Sequence, residues 1–425
     1  MPRYLFVTPY YEPFTSGTVA FVAAMARRLA ADGCAVTVLT TDARRAADFW
    51  LPSRDAPLPQ REARGGVVVE RLALRHPWPA PYAFGVLRRA GHWLARRRLP
   101  AAVQRRALRR LSRWMPLLAG LTAALARLTP AADLVHIEDA SWDGLLCAAT
   151  DAATQHGRPL VVRPLMHLGD ASVQIHFQMA HQVDAYRRAG AVLALSAREA
   201  AAYERLGVAA QRIHCIPMGV DAPPDELLDP ALGAAFRRER GIARPLAAFL
   251  GAQTYDKGAF ALALAVAALN WAGEAVDVAF AGPGSDDLRA FLARQPGAVR
   301  AALDGHVHLL GVVDERTKHA LLSACDLLAL PSQVDTFGIV LLEAWLHGKP
   351  VIGADAGGIP ELVREGETGL LVPFSDADGL ARAIRRLVTD RALAERLGAA
   401  GRARTLQEYT WEQTYDALLR AYRSI

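Results

Sequence analysis

The chain has 425 residues, 52% hydrophobic and 22% charged, with 49 Lys and Arg against 43 Asp and Glu. That length exceeds what one hydrophobic core organises, and the composition is that of a globular chain, so two domains are expected and a disordered or fibrous class is excluded. The net charge of +6 is unevenly placed: between Glu70 and Asp133 there is no Asp or Glu but thirteen arginines, which leaves 36 of the 49 basic residues against the 43 acidic ones elsewhere.

Residues 4–8 read as a buried strand, and Pro9 and Glu12 break the apolar run too early for a signal peptide. A loop with Pro9, Pro13, Ser16 and Gly17 follows, then an apolar-periodic helix over 19–31 and a strand over 35–39. This strand, glycine-bearing loop, helix, strand order opens a doubly wound α/β domain, whose ligands gather beyond the C-terminal ends of the strands. A third strand is expected at 67–72, followed by a basic insertion at 75–130. Strands at 134–137, 160–163, 191–195 and 213–216, with helices near 142–155 and 174–188, complete a first domain at 1–221. Pro223, Pro224, Pro230 and Pro245 mark 222–245 as a linker. Strands near 246–250, 276–281, 306–310, 327–330 and 350–353 then alternate with helices near 258–270, 286–293, 314–324 and 337–347, which predicts a second parallel sheet in a domain at 246–405. The most apolar stretch, 259–272, is shorter than the ~20 residues a bilayer requires and reads as a core helix of a soluble chain. Cys34, Cys147, Cys215 and Cys325 show no metal-ligand spacing and are expected as buried thiols in a reducing, cytoplasmic compartment.

The most informative span is 331–361. Phe337, Val340, Leu341, Ala344 and Trp345 recur at helical spacing, which places a helix start near Thr336 and Phe337. Its first-turn amides have no partners within the helix and face the positive dipole end, so they form an anion site, and Gly338 lets a phosphate approach the backbone. Asp335 precedes that turn and Glu343 lies about two turns along it, rotated by about 80°. The two acids can grip different parts of one long ligand but not one metal ion. Gly357 and Gly358, ahead of Ile359-Pro360-Glu361, open another expected helix start. Read singly, Asp335 is equally an N-cap and Glu343 equally a solvated helix residue.

These residues resemble the donor-binding signature of retaining glycosyltransferases of family four, the glycosyl transferases group 1 of GT-B fold. The resemblance implies two Rossmann-like domains facing a cleft, with a C-terminal helix, 406–425, crossing back to the N-terminal domain. The family carries two glutamates eight positions apart. Asp335 stands at the first, which implies a contact to the donor sugar, and Glu343 matches the second, which implies a hydrogen bond to the ribose hydroxyls of a nucleotide sugar. Lys257, in the loop Gly251-Ala-Gln-Thr-Tyr-Asp-Lys257-Gly258, follows a strand and opens a helix, where a cation opposes the dipole unless a diphosphate sits beside it. The resemblance gives Lys257 that phosphate role, while Ala252 stands where the family has an arginine. Gly17 is retained from a glycine pair near the donor phosphate. Gly282, in Gly282-Pro-Gly284, reads equally as a plain turn or a nucleotide contact. A histidine in the loop holding His167 is typical of the family near the reacting sugar; for His167 and His136 alike a satisfied core histidine is the other reading.

The implied activity is transfer of a sugar from a nucleotide-diphosphate sugar to an acceptor hydroxyl with retention, without a cofactor or metal, since no Asp-x-Asp site stands beside the phosphate cradle. His167, Asp335 and Lys257 are the catalytic candidates; Glu343, Lys257, Gly17, Phe337, Gly338, Ile339 and Gly282 are the donor-binding ones. Two rivals stand beside this: a GT-B epimerase or phosphorylase, and a non-catalytic nucleotide-sugar-binding protein. The arginines of 75–130 interleave with Trp93, Leu94, Leu108, Leu111, Trp114 and Met115 in the manner of basic amphipathic helices on anionic membranes. A solvated helical face is the alternative, and no nucleic-acid motif accompanies the patch. The expected partners are thus a nucleotide sugar, a sugar, lipid-linked or small-molecule acceptor, and an anionic membrane surface on its inner face.

Overall fold

Runs of fully buried residues in the first half of the chain form most of one parallel sheet: β1 (Arg3–Val7), β2 (Ala35–Thr41), β3 (Arg61–Arg64), β4 (Val67–Leu72), β5 (Leu134–Glu138), β6 (Leu160–Arg163), β7 (Ala191–Ala194) and β8 (Ile213–Cys215). The computed structural model describes residues 1–76 and 82–425, so residues 77–81 of the basic insertion lie outside the described residues. The strand order is β3-β4-β2-β1-β5-β6-β7-β8, with Phe6 paired to Val38 on one side and to His136 on the other. Among the described strands of this sheet, only the polar β3 runs antiparallel to its neighbour, β4, at the sheet's edge. Sequence periodicity misses it because Arg-Glu-Ala-Arg offers no apolar alternation.

Around this sheet lie α1 (Gly17–Ala31), α2 (Tyr82–Arg96), α3 (Ala101–Ser112), α4 (Asp143–Gln155), α5 (Ala180–Arg188) and α6 (Ala197–Arg205). Ser16 caps α1, its hydroxyl oxygen accepting from the Val19 amide at 3.2 Å. The basic insertion is helical in α2 and α3, and α3 packs on α4 and α5.

The second sheet contains β9 (Leu246–Leu250), β10 (Asp277–Ala281), β11 (Val307–Gly311), β12 (Leu327–Leu330), β13 (Val351–Ala354) and β14 (Leu370–Val372), all parallel, in the order β11-β10-β9-β12-β13-β14. Its strands β9, β10, β12 and β13 are buried along their whole length, as a sheet covered on both faces requires. Among the helices of this half are α7 (Pro230–Arg240), α8 (Ala259–Trp271), α9 (Glu315–Ala324) and α10 (Ile339–Leu346), followed by α11 (Trp411–Arg423).

The chain groups into two units, one of Met1–Met166, Ala171–Pro217 and Thr414–Ile425, the other of His167–Asp170 and Met218–Gln413. The four residues of the His167 loop therefore belong with the second unit. The stretch 222–245, expected as a linker from its prolines, holds α7, which packs against α9 within the second unit. Its prolines start a helix: Asp229 accepts from the Ala231 amide at 2.8 Å, Pro230 takes the first position, and Gly241 closes the other end with a left-handed backbone. The chain end returns to the first unit through α11, where Tyr415 donates to Asp32 at 2.7 Å and Tyr422 stacks on Tyr4 with ring centroids 5.4 Å apart.

Among the parallel strands of each sheet the order reverses between β1 and β5 in the first and between β9 and β12 in the second. Loops leaving the carboxyl ends of those strands flank the crevice where open α/β sheets bind ligands.

Candidate active site

The second unit's switch point is built by the loop after β9, which carries Lys257, and the loop after β12, which carries Asp335. The Lys257 ammonium lies 3.1 Å from Asp335 Oδ1. Both side chains keep about a fifth to a quarter of their surface, 25% for Lys257 and 21% for Asp335, so the pair borders solvent. Asp335 Oδ2, by contrast, is buried and has no hydrogen-bond partner. An acceptor oxygen enclosed without a donor is costly and marks a place where a ligand hydroxyl gains more than it would in water.

The backbone holds these groups in place. The Gln333 amide donates to Asp256 O at 2.9 Å, tying the Lys257 loop to the Asp335 loop. Gly258 has φ +80°, and a Cβ there would stand 2.2 Å from Pro331 O, so no other residue lets the two loops meet this closely. Gly358, expected as part of a helix start, donates to Asp335 O at 2.8 Å. It supports the acid from below. His167 shares this loop cluster: its Nδ1 donates to Val334 O at 2.7 Å, which fixes the orientation of the ring.

The helix after Asp335 begins later than its apolar spacing predicts. Gly338 takes the N-cap position with φ +88° and ψ +56°, and α10 runs from Ile339, so the expected start at Thr336 and Phe337 is corrected by two to three residues. The left-handed turn at Gly338 swings the chain out of the helix, and Phe337 points into the core at 6% exposure, edge-on to Tyr409 at 5.7 Å. The amides of Ile339 and Val340 are the ones that open α10 without partners inside it.

Glu343 lies on α10 and does not face bulk water. Its Oε1 is 2.7 Å from Lys318 Nζ of α9, and each side chain keeps 18% of its surface. Lys318 also reaches Glu315 at 2.8 Å. Burial raises the Glu343 carboxyl and Lys318 pulls it back; burial lowers the Lys318 ammonium, but Glu343 and Glu315 outweigh it and the net direction is up. For Glu343 burial is the larger influence, so its net direction is up as well. Behind it His319 and His347 share a 2.8 Å hydrogen bond. Gly282 stands beside the loop after β9, where Gln253 Nε2 donates to its carbonyl at 3.0 Å. Gln253 is fully buried and its Oε1 is unpartnered.

The structure thus brings Lys257, Asp335, His167, Gly338 and Ile339 to the loops of one switch point, with Glu343 on the helix that leaves it. Gly17 belongs to the first unit, where it opens α1 after the loop from β1. Lys318 and Gln253 were missed by sequence reasoning: a lysine on an otherwise ordinary helix and a glutamine in a loop carry no motif. The first unit's own switch point was missed too. There Tyr10 donates to Asp139 Oδ2 at 2.8 Å and receives Trp142 Nε1 at 3.0 Å, and Asp139 holds φ +65°, a strained conformation of the kind that clusters at functional sites. His136 lies away from any such edge, fully buried, with Nδ1 2.6 Å from the Tyr422 hydroxyl and Glu138 and Arg163 alongside. Its role is in the core. Among the described residues no three His, Cys, Asp or Glu side chains are grouped so as to hold a metal ion, and no helix is long and apolar enough to cross a membrane.

Residues 16–219 match the model of the glycosyl transferase 4-like domain and residues 235–404 that of the glycosyl transferases group 1. The alpha-maltose-1-phosphate synthase of Mycobacterium tuberculosis (strain CDC 1551 / Oshkosh) is 33% identical over 229 residues, covering 50% of this chain and 57% of the relative. The chain thus spans little more than half the length of the curated relatives it matches. Among solved structures, Anabaena Alr3699/HepE in complex with UDP and glucose superposes with a TM-score of 0.73 at 21% identity, covering 100% of both chains. Sucrose-phosphate synthase from Thermosynechococcus elongatus gives a TM-score of 0.70 at 22% identity over 100% of this chain and 98% of the other. At these identities the structural likeness establishes the fold. With both of its halves matched and two Rossmann-like domains in its structure, the chain belongs to the group 1 glycosyltransferases of family four and has the GT-B fold.

Proposed function

We propose that this protein transfers a sugar from a nucleotide-diphosphate sugar to an acceptor hydroxyl, with retention of anomeric configuration and with no cofactor beyond the donor. One observation carries the reading: at the second unit's switch point an ammonium, Lys257 Nζ, lies 3.1 Å from a carboxylate whose other oxygen is buried and unpartnered, next to the open amides of α10. That is a cation and two N–H donors for a diphosphate, with an acceptor for a sugar hydroxyl alongside.

In the reaction the bond from the anomeric carbon to the diphosphate oxygen breaks, the acceptor oxygen takes its place, and the acceptor's proton leaves with the released phosphate. Charge grows on the diphosphate, and Lys257 with the Ile339 and Val340 amides stabilises it in place without reorganising. Asp335 Oδ2 accepts from a donor sugar hydroxyl, Glu343 accepts from the ribose, and His167 presents its ring to the reacting sugar. The residues 246–405 bind the nucleotide sugar, and 1–221 select the acceptor through Gly17 and the Tyr10, Asp139 and Trp142 cluster. UDP in the Anabaena structure makes a uridine nucleotide the first donor to try. The reading places the protein in the cytoplasm, with the 75–130 segment against the anionic inner face of a membrane.

Donor turnover, as sugar transfer or slow hydrolysis, is expected to fall by about a hundredfold or more in Lys257→Ala and Glu343→Ala, both still folded by circular dichroism. Unchanged turnover in either variant removes the assigned role. Recovery of an isomerised or phosphorylated sugar in place of a glycoside replaces the reading with a different GT-B chemistry.

A further inference from the structure

The acid-free interval between Glu70 and Asp133 uses its arginines in two ways. On α3, Arg105 and Arg109 turn toward the body of the first unit, Arg105 at 3.3 Å from Asp184 and Arg109 paired with Asp151 and Asp184. These are structural ion pairs. The adjacent stripe of the same helix carries Arg106 and Arg110, with Arg113 just beyond its end, all exposed, and none has a carboxylate within ion-pair distance among the described residues. The opposite face of α3 buries Leu108 and Ser112, at 1% exposure each, so the unpaired stripe is the outward one.

The same surface is apolar where a solvated one would not be. Of the thirteen large hydrophobic side chains exposed among the described residues, six lie between positions 82 and 114. On α2, Val86 and Trp93 stand seven residues apart with exposed Arg89 between them, one stripe of the helix, and the Arg97 guanidinium lies 4.4 Å over the Trp93 ring. On α3, Val103 at 53% exposure and Trp114, just past the helix end, at 51% flank the unpaired arginines. Guanidinium groups alone would suit any polyanion. Exposed valines and leucine gain nothing from a polyanion in water, whereas at a bilayer they enter the acyl boundary while tryptophan rings settle at headgroup depth and arginines meet lipid phosphate.

We propose that the α2–α3 surface is a docking face for anionic lipid, with Arg106, Arg110 and Arg113 reading the headgroup charge and Trp93 and Trp114 as interfacial anchors. The inference rests on the membrane-contact part of the reading above and is independent of sugar transfer.

The test is flotation of the full chain with vesicles of phosphatidylcholine alone and of phosphatidylcholine mixed with phosphatidylglycerol. The mixed vesicles should carry the protein and the neutral ones should not. Arg106→Gln, Arg110→Gln and Arg113→Gln together should lower the partition coefficient by about a hundredfold, and Arg110→Gln alone by about fivefold, which covers the case in which the triple variant fails to fold. Trp93→Ala with Trp114→Ala should weaken binding while leaving its salt dependence, and Arg391→Gln on the second unit should change nothing. Equal partition into both vesicle types, or no loss in the arginine variants, overturns the proposal. So does heparin capturing the chain in preference to mixed vesicles, which would make the partner a soluble polyanion. Glu343→Ala should float like the parent, so a failed flotation leaves the transferase reading intact, and a failed transferase assay leaves this one intact.

Discussion

In the proposed donor site Glu343 accepts from a ribose hydroxyl most strongly as a carboxylate, and Lys318, 2.7 Å away, favours that form. In Lys318→Met the side chain keeps its length and loses its charge. Burial then acts on the carboxyl unopposed, the like charge of Glu315 adds to it, and its pKa moves further up. The donor KM is expected to rise about tenfold near pH 6 with kcat little changed, and to recover as the pH rises and the carboxyl ionises again; Lys318→Arg should restore the parent value. A Lys318→Met enzyme whose KM for donor matches the parent across that range would show that the ion pair serves packing alone. Asp335 and Glu343 were legible in the sequence because their relation is local, eight positions along one turn and helix. Lys318 was not, because the pairing that gives it meaning spans 25 residues and two helices. The same holds for Lys257 and Asp335: each stood out by its place at a strand's end, but nothing in a separation of that size announces a 3.1 Å contact.

At the scale of elements, helix and strand alternation was readable wherever apolar residues repeat, and it placed the strands of the second sheet from β9 to β13. Among the elements that escaped are the edge strands β3 and β14 and the helices α6 and α7. Edge strand β3 has too few apolar residues to show a period, and α7 was hidden by the prolines that start it, since Pro230 at the first helical position reads in isolation as a breaker. The packing of α9 against the end of α10 makes a prediction of its own. His347, the C-cap of α10, is hydrogen-bonded to His319 of α9, and burial followed by the neighbouring His319 and lysines lowers its pKa to about 4. Its ordinary value is 6.5, so between those two pH values the unfolded chain binds a proton that the folded chain refuses. Stability contributed by the neutral pair is therefore present above about pH 6.5 and is lost as the pH falls toward 4. The melting temperature of the second unit should drop over that interval, and His347→Gln should flatten the drop. An equal acid slope in the variant would place the titrating groups elsewhere.

At the scale of the whole molecule, the first unit is completed by α11, which returns to it after the second unit. Trp411, Tyr415, Leu418 and Tyr422 recur at spacings of four, three and four, a helical stripe with every member at 9% exposure or less. Tyr422 is the deepest functional point of that stripe: its ring stacks on Tyr4 of β1 and its hydroxyl meets His136 of β5, a histidine with no exposed surface. Removing the ring in Tyr422→Ala opens a cavity against β1 and strands a buried imidazole nitrogen, a loss of about 3–5 kcal/mol, whereas Tyr422→Phe keeps the stacking and loses about 1–3 kcal/mol through the unpaired nitrogen alone. Because the two units are built on separate sheets, unfolding need not be two-state, and the loss should appear in the first unit only. Amide hydrogen exchange is the measurement that separates them: in Tyr422→Ala, β1 and β5 should exchange faster while β9 and β12 keep the parent's protection. Equal acceleration in both sheets would mean that the chain unfolds as one cooperative body, and unchanged exchange in β1 would mean that α11 covers the first unit without supporting it.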